Sequence, residues 1–526
     1  GGHVVVWSDG HTDFHGQIDA SSNAGAGGYI ETSGKTIDFD NFLTQLKLGS
    51  GGHFLLDPTD ITIDATLAST IESMLDGGMD FSVNTTSGGA DAGDITVEAN
   101  IQVPTNNLGE TGTLTLFADR DIIVNSGVTV QNLQEDFTPG QTVFDFTAGR
   151  DILLSGDVRH SGISGETGRG SILLSAGNQL KVNNVTLDSN GGSLGIAADS
   201  VILNGLNSSL VAGFNGESTA SIDVTAASSI TFAGGLIQSF GGADIFLDTA
   251  LLTNNTGASA LSRNDLSESF FGIRLPNPTD SGSGTNHVYN GIQSGSRALF
   301  NVTDFNAVKT AGITGNRYYY TFQPAVGITA NDGSKTYGNT LNLLTGGPAV
   351  TINTGNFVQV PLGNPFLQDT TANALDLTGV TTSSVGAAGG ANVGSYPIVP
   401  IGATSNNGYA FNYLNGALTV NQRAVTLTAS QQNKQYGDVL NLDDTAFTVA
   451  DLGNTADTTL PNGNVVDTVA LNSQTGLDVS VTADAQTYTD EIEITGQAGS
   501  GGFLASNYDF TYVDAELVVD PRNVTV

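Results

Sequence analysis

The sequence predicts an all-β protein: a right-handed parallel β-helix followed by tandem small β-sandwich or β-grasp-like modules. Three observations predict it. Short alternating strands recur through the first half with a loose period of 22 to 30 residues, a longer and stricter repeat of 99 residues fills the second half, and no long stretch keeps a helical period.

The first half repeats as a short strand, a small residue, a polar turn and a second strand. It reads "GTLTLFADRDIIVNSG" from Gly112, "TVFDFTAGRDILLSGD" from Thr142, "GSILLSAGNQLKVNNV" from Gly170, "GSLGIAADSVILNG" from Gly192 and "ASIDVTAASSITFAGG" from Ala220. The small residue is Ala118, Ala148, Ala176, Ala198 and Ala226 in turn, at spacings of 30, 28, 22 and 28. One coil per repeat, with a tight corner that leaves little inward room, accounts for both the period and the alanines. Coils stacking about 4.8 Å apart would make a rod of roughly 50 Å from about ten of them, over residues 1–267. One segment breaks the pattern. "STIESMLDGG" from Ser69 predicts a short helix over 69–77, with Ser69 and Glu72 as a capping box, Ile71, Met74 and Leu75 on one face and Gly77 as the stop. Residues 268–323 are loop-rich and then aromatic ("GNRYYYTFQP"), and read as the cap of the rod and its joint to the modules.

In the second half, "PAVGITANDGSKTYG" (Pro324 to Gly338) returns as "RAVTLTASQQNKQYG" (Arg423 to Gly437), and "YAFNYLNGALTV" (Tyr409 to Val420) returns as "YDFTYVDAELVV" (Tyr508 to Val519). The offset is 99 throughout, which gives two modules, 324–422 and 423–521, and the opening of a third at 522–526. The repeated Tyr-Gly pair predicts a turn in which Gly338 and Gly437 take positive φ and Tyr337 and Tyr436 lie across the end of a module.

Composition narrows the function. The 526 residues carry 52 Asp and Glu against 16 Lys and Arg, a net charge of −36, and no Cys. Nucleic acid and anionic lipid both need a basic footprint, so neither is a partner. Thiol chemistry and a disulfide scaffold are excluded. No apolar run is long enough to span a membrane as a helix.

Four clusters invite chemistry. His11 and His15, with Asp9 and Asp13 beside them, are the most metal-like; in a strand the two histidines stand roughly 13 Å apart, too far for one ion without a turn. Gly191, Ser193 and Gly195 match an esterase elbow, but a strand rather than a helix follows. Asp119, Arg120 and Asp121 recur one coil later as Arg150 and Asp151, and read as a stacked Asp–Arg ladder or, on a β-helix that cleaves polysaccharide, as a catalytic group. Asp443, Asp444 and Asp451 offer the hard oxygens that suit Ca²⁺, without the spacing of a known loop. Tyr318, Tyr319 and Tyr320 read as packed in the joint, with stacking on a sugar as the alternative. No residue is assigned a catalytic, cofactor-binding or metal-ligating role, and no resident cofactor is expected.

"GGHVVVWSDGHTDFHGQIDASS" (Gly1 to Ser22), "GAGGYIETSGK" (Gly25 to Lys35) and "FLLDPTDITI" (Phe54 to Ile63) resemble the late β-helix of filamentous-haemagglutinin-like exoproteins, the secreted partners of bacterial two-partner secretion systems. "GNRYYYTFQP" resembles the segment that closes that β-helix, and the "KTYG" and "KQYGD" modules resemble the YDG or MBG-type repeats that follow in many large members. The resemblance implies a non-catalytic adhesin or biofilm-matrix scaffold, secreted to the surface of a Gram-negative bacterium through an outer-membrane transporter partner. It implies matrix polysaccharide, a cell-surface receptor or like copies as what the chain attaches to, and it carries no site residues. The family's amino-terminal secretion domain and surface anchor are not in the sequence, and the natural chain is expected to continue at both ends. The alternatives are an extracellular filament subunit assembling end to end and a β-helix polysaccharide lyase or hydrolase.

Overall fold

A computed structural model describes residues 1–38, 45–85, 93–104, 112–133, 142–161, 170–213, 220–263, 269–278, 287–343, 349–361, 363–451 and 459–525. The chain is all-β, and forms two compact units: Gly1–Pro324 with Val358–Asp369, and Ala325–Phe357 with Thr370–Val526.

In the first unit alternate apolar residues put every second side chain inside, and parallel strands stack coil upon coil. A first face runs unbroken from His3–Trp7 through Tyr29–Ser33, His53–Asp57 and Asp80–Asn84 to Thr113–Ala118. It continues through Val143–Ala148 and Ile172–Ala176 to Phe271–Leu275 and Arg317–Tyr320. A second face stacks Ile61–Ile63, Ile95–Val97, Asp121–Val124, Asp151–Leu154 and Gln179–Asn183. A third face is a seven-stranded sheet from Ile101–Val103 to Leu261–Arg263. The ladder thus carries on past the boundary read at 267, which itself lies outside the described residues, as does Val526.

Register makes the core a set of columns. Phe81, Leu114, Phe144, Ile172, Leu194 and Ile222 follow one another in register, as do Val83, Leu116, Phe146, Leu174, Ile196 and Val224, all buried. Ala118 pairs with Ala148, Ala148 with Ala176, and Ala198 with Ala226 at the corner between the first two faces. Beside it, a Cβ added at Gly149 would stand 2.1 Å from the Asp119 carbonyl oxygen, so that position admits no side chain.

The helix spans Ala65–Asp76 and not 69–77, because Asp64 caps it: its carboxylate accepts the amides of Thr66 (3.0 Å) and Leu67 (2.9 Å). Ser69, read as the cap, is inside the helix, where its carbonyl accepts the Ser73 hydroxyl. Gly77 does stop the helix. Leu67, Ala68, Ile71, Met74 and Leu75 form the buried stripe. The helix connects the second face to the first in its coil, so it stands where other coils place a third-face strand. Glu72 accepts the Gln102 amide at 2.6 Å and so satisfies a donor at the edge of the third-face sheet.

In the second unit each 99-residue repeat makes the same two small sheets. The first module has Ala325–Ala330 between Val350–Asn353 and Ala410–Leu414, and a four-stranded sheet of Gly333–Thr336, Gly416–Asn421, Gly394–Ile401 and Thr381–Ser383. The second repeats the order with Arg423–Ala429 between Phe447–Asp451 and Tyr508–Val513, and with Gln432–Gln435, Ala515–Asp520, Thr487–Ser500 and Val465–Ser473. In both, the central strand pairs antiparallel on one side and parallel on the other.

Phe146→Ala empties one position of a continuous column and is expected to cost about 3–5 kcal/mol, whereas Asp64→Ala removes only a cap and is expected to cost about 1 kcal/mol. Urea unfolding of the two variants against the parent chain measures both.

Candidate functional site

The Asp–Arg ladder is built, and it extends further than the two triplets. Arg120 Nε donates to Asp94 Oδ1 (2.8 Å) and its Nη2 to the other carboxylate oxygen; Arg150 repeats this on Asp121, again with Nε at 2.8 Å. The carboxylates also take amides of the coil above: Asp60 that of Asp94 (2.8 Å), Asp94 that of Asp121 (3.2 Å), and Asp121 that of Asp151 (3.2 Å). Asp151 then takes the Asn178 side chain (2.7 Å) and the Gln179 amide (3.1 Å). Each carboxylate is therefore spent on the next coil. Asp121 is only 4 % exposed and bound on both oxygens, so it is placed to hold coils together rather than to move a proton.

Burial shapes the charge elsewhere on the rod. Asp188 opposes Arg159 on the third face and accepts the Asn190 amide at 2.8 Å, yet burial pushes its pKa up to about 6. Burial likewise raises Asp57, where the Glu31 carboxylate adds repulsion, and Asp145 and Asp244.

The outer side of the first face carries two shallow troughs. One, of about 300 Å³, is lined by Asp145, Leu173, Ser175, Gly195, Ala197 and Asp223; Leu173 is exposed and Gly195 leaves the floor flat. The other, of about 450 Å³, is lined by Thr225, Asp248, Thr249, Arg274 and Thr303 among others. Beside them the helix Phe305–Ala311 packs Phe305 against Phe246 and Tyr319, and its Lys309 forms an ion pair with Asp223. Arg274 Nε donates to Asp248 (2.7 Å) and Nη1 to the Thr303 carbonyl (2.9 Å). A seven-residue helix capped by Asp304 gives little periodic signal, and nothing in the sequence analysis marked it.

The structure brings His11 and Asp13 together with Asp38, which the sequence analysis did not single out. Parallel pairing sets His11 opposite Thr36 and Asp13 opposite Asp38, and a donor atom from each of the three side chains lies within 4.8 Å of the others. His15 Nε2 stands 3.0 Å from Asp13 Oδ1. Asp9 is not part of the cluster.

The other candidates separate. Ser193 leads directly into the strand Leu194–Asn204, so no helix follows and the esterase elbow is not formed. Asp451 is buried against Arg423, with Nε and Nη2 each 2.6 Å from a carboxylate oxygen, while Asp443 binds the amide and hydroxyl of Thr445. Those two carboxylates are turned to different partners, and the Ca²⁺ reading of this stretch loses its ligands. Tyr318, Tyr319 and Tyr320 are all buried; the Tyr318 hydroxyl donates to the Ile292 carbonyl (2.9 Å), and Phe366 packs on Tyr318 and Tyr320. They close the end of the core and offer no face to a sugar.

The Lys-x-Tyr-Gly motif is structural. Lys335 Nζ donates to the carbonyls of Asn339 (2.8 Å) and Ala388, and Lys434 Nζ to those of Leu477, Asp478 and Ser480 (2.7 Å to the last). Desolvation lowers the Lys335 pKa. Gly338 and Gly437 turn the chain at φ of 89° and 91°. Tyr337 meets Tyr508 of the next module edge-on at 5.4 Å, and both hydroxyls donate to Asn464 Oδ1, at 3.1 and 2.8 Å. Tyr337 is 3 % exposed, whereas Tyr436, its counterpart 99 residues on, is 43 % exposed.

The chain matches no protein-family model, no curated protein and no solved structure. No helix among the described residues is long and apolar enough to cross a membrane.

Tyr337→Phe is expected to lower stability by about 1 kcal/mol through the lost bond to Asn464, and Tyr436→Phe to leave it unchanged; calorimetry on the full chain compares them. A carboxylate whose folded pKa lies above its unfolded value of about 3.9 stabilises the fold below that value and loses the contribution as pH rises through the folded pKa. Stability is therefore expected to fall between about pH 4 and 6 as Asp188 ionises, and Asp188→Asn to flatten that part of a urea-midpoint profile.

Proposed function

We propose that this chain is a non-catalytic adhesive scaffold of a bacterial surface or biofilm matrix, secreted in the manner of the filamentous-haemagglutinin-like exoproteins it resembles. One observation carries the reading. The potentially reactive carboxylates of the Asp60–Asp151 ladder are consumed in holding coil to coil, while the outer side of the first face carries two shallow, open troughs. Repeated weak sites along a stiff support sum to firm attachment.

Charge indicates the kind of glycan. Arg120, Arg150, Arg274, Lys309, Arg423 and Arg522 are each held in an ion pair within the fold. The surface that remains is dominated by carboxylates, which favours neutral or amine-bearing polysaccharide over acidic polymers.

On a glycan array the full chain is expected to be retained by neutral or amine-bearing polysaccharides and to release no product from them. Reducing ends or unsaturated sugars appearing from any glycan of the panel would replace this reading with that of a degrading enzyme, and retention by none would remove it.

A further inference from the structure

We infer that His11, Asp13 and Asp38 form a binding site for a transition-metal dication of the Zn²⁺ class that clamps two successive coils of the rod.

The donor set comes from pairing. His11–Asp13 and Thr36–Asp38 are parallel strands in register. Thr12 between the two ligands of the first strand is buried, and its hydroxyl donates inward to the Ser33 carbonyl (2.8 Å), so the side chains at 11 and 13 both stand on the outer surface. Asp38 reaches the same surface from the neighbouring coil, one strand spacing away. Donor atoms of the three lie within 4.8 Å of one another. Ligands about 2.0–2.2 Å from a tetrahedral metal stand about 3.4 Å apart, so the cluster has only to draw in by about an ångström, within reach of exposed side chains.

Two neighbours prepare these ligands. His11 Nδ1 is 2.9 Å from the Thr36 hydroxyl, which occupies that nitrogen and leaves Nε2 for the metal. His15 lies 3.0 Å from one oxygen of Asp13, the outer-shell contact that orients a ligating carboxylate. An imidazole with two carboxylates suits Zn²⁺, while Ca²⁺ takes six to eight oxygens and gains little from imidazole.

The position gives the metal a purpose. Elsewhere the second face is one long ladder, but here His11–Asp13 and Thr36–Asp38 form a separate two-stranded sheet, and Ile18–Asp19 with Leu46–Lys47 another. From Asp94 onward arginine and aspartate side chains join successive coils. A metal bridging position 38 to positions 11 and 13 does here what the Asp–Arg ladder does further along.

The test titrates chelator-treated full chain with Zn²⁺ and, separately, Ca²⁺ by calorimetry. Hydrogen exchange is followed over 11–13 and 36–38. One Zn²⁺ per chain is expected, with slower exchange in both strands and no saturable Ca²⁺ binding at this site. His11→Gln, Asp13→Asn and Asp38→Asn are each expected to weaken Zn²⁺ at least about tenfold, and His53→Gln to leave it unchanged. These positions are exposed, so circular dichroism of each variant is expected to match the parent. Zn²⁺ binding that survives all three substitutions, or no saturable binding by the parent chain, overturns the proposal.

Discussion

A strand in the rod can satisfy its peptide groups only through the coils above and below it, so the whole unit depends on parallel strands keeping register over many coils. Side chains enforce that register. A slip of one residue would turn the Phe81–Ile222 and Val83–Val224 columns outward and bring polar residues in. At Gly149 and Gly177 a Cβ would stand 2.1 Å from a carbonyl oxygen of the preceding coil, so the chain bends there without room for a side chain. The Asp–Arg ladder adds a directional element: a carboxylate in one coil takes both the backbone amide and the guanidinium of the next. An acidic chain thereby turns two of its sixteen cations, Arg120 and Arg150, into mortar between coils.

Breaks in the regular stack are covered by other means. The helix Ala65–Asp76 takes the place of a third-face strand and answers an edge amide with Glu72. At the aromatic end of the first unit, Tyr289, Tyr318, Tyr320, Phe300 and Phe366 close the column with stacked and edge-on rings, their hydroxyls bonded to carbonyls or to each other. Tyrosine suits that position because the ring fills the apolar bore while the hydroxyl reaches the polar rim.

The fold class was legible because its cause is periodic. Alanines at 118, 148 and 176 recur because the same corner recurs, and "RDI" at 120 and 150 recurs because the same ladder does. The Lys-x-Tyr-Gly turns announced themselves by a constant offset. What the sequence concealed was contact between residues with no shared period. Asp38 reaches His11 from a neighbouring coil, Asn464 meets Tyr337 from 127 positions away, and Lys309 finds Asp223 from a helix of two turns. The helix boundary was misplaced because Ser69 and Glu72 have the spacing of a cap, while Asp64, four residues before the apolar stripe thickens, does the capping. Asp443, Asp444 and Asp451 looked like a cation loop only because chain proximity hides Arg423, which belongs to the adjacent strand and claims Asp451.

The joint between the modules has a consequence for how such a chain changes length over generations. The second unit of 99 residues brings a tyrosine at its leading end, Tyr436, and, further on, Asn464 and Tyr508, which enclose the Tyr337 ring of its predecessor. Tandem duplication of that unit in the gene would copy plug and socket at one stroke, so lengthening would require no newly invented interface.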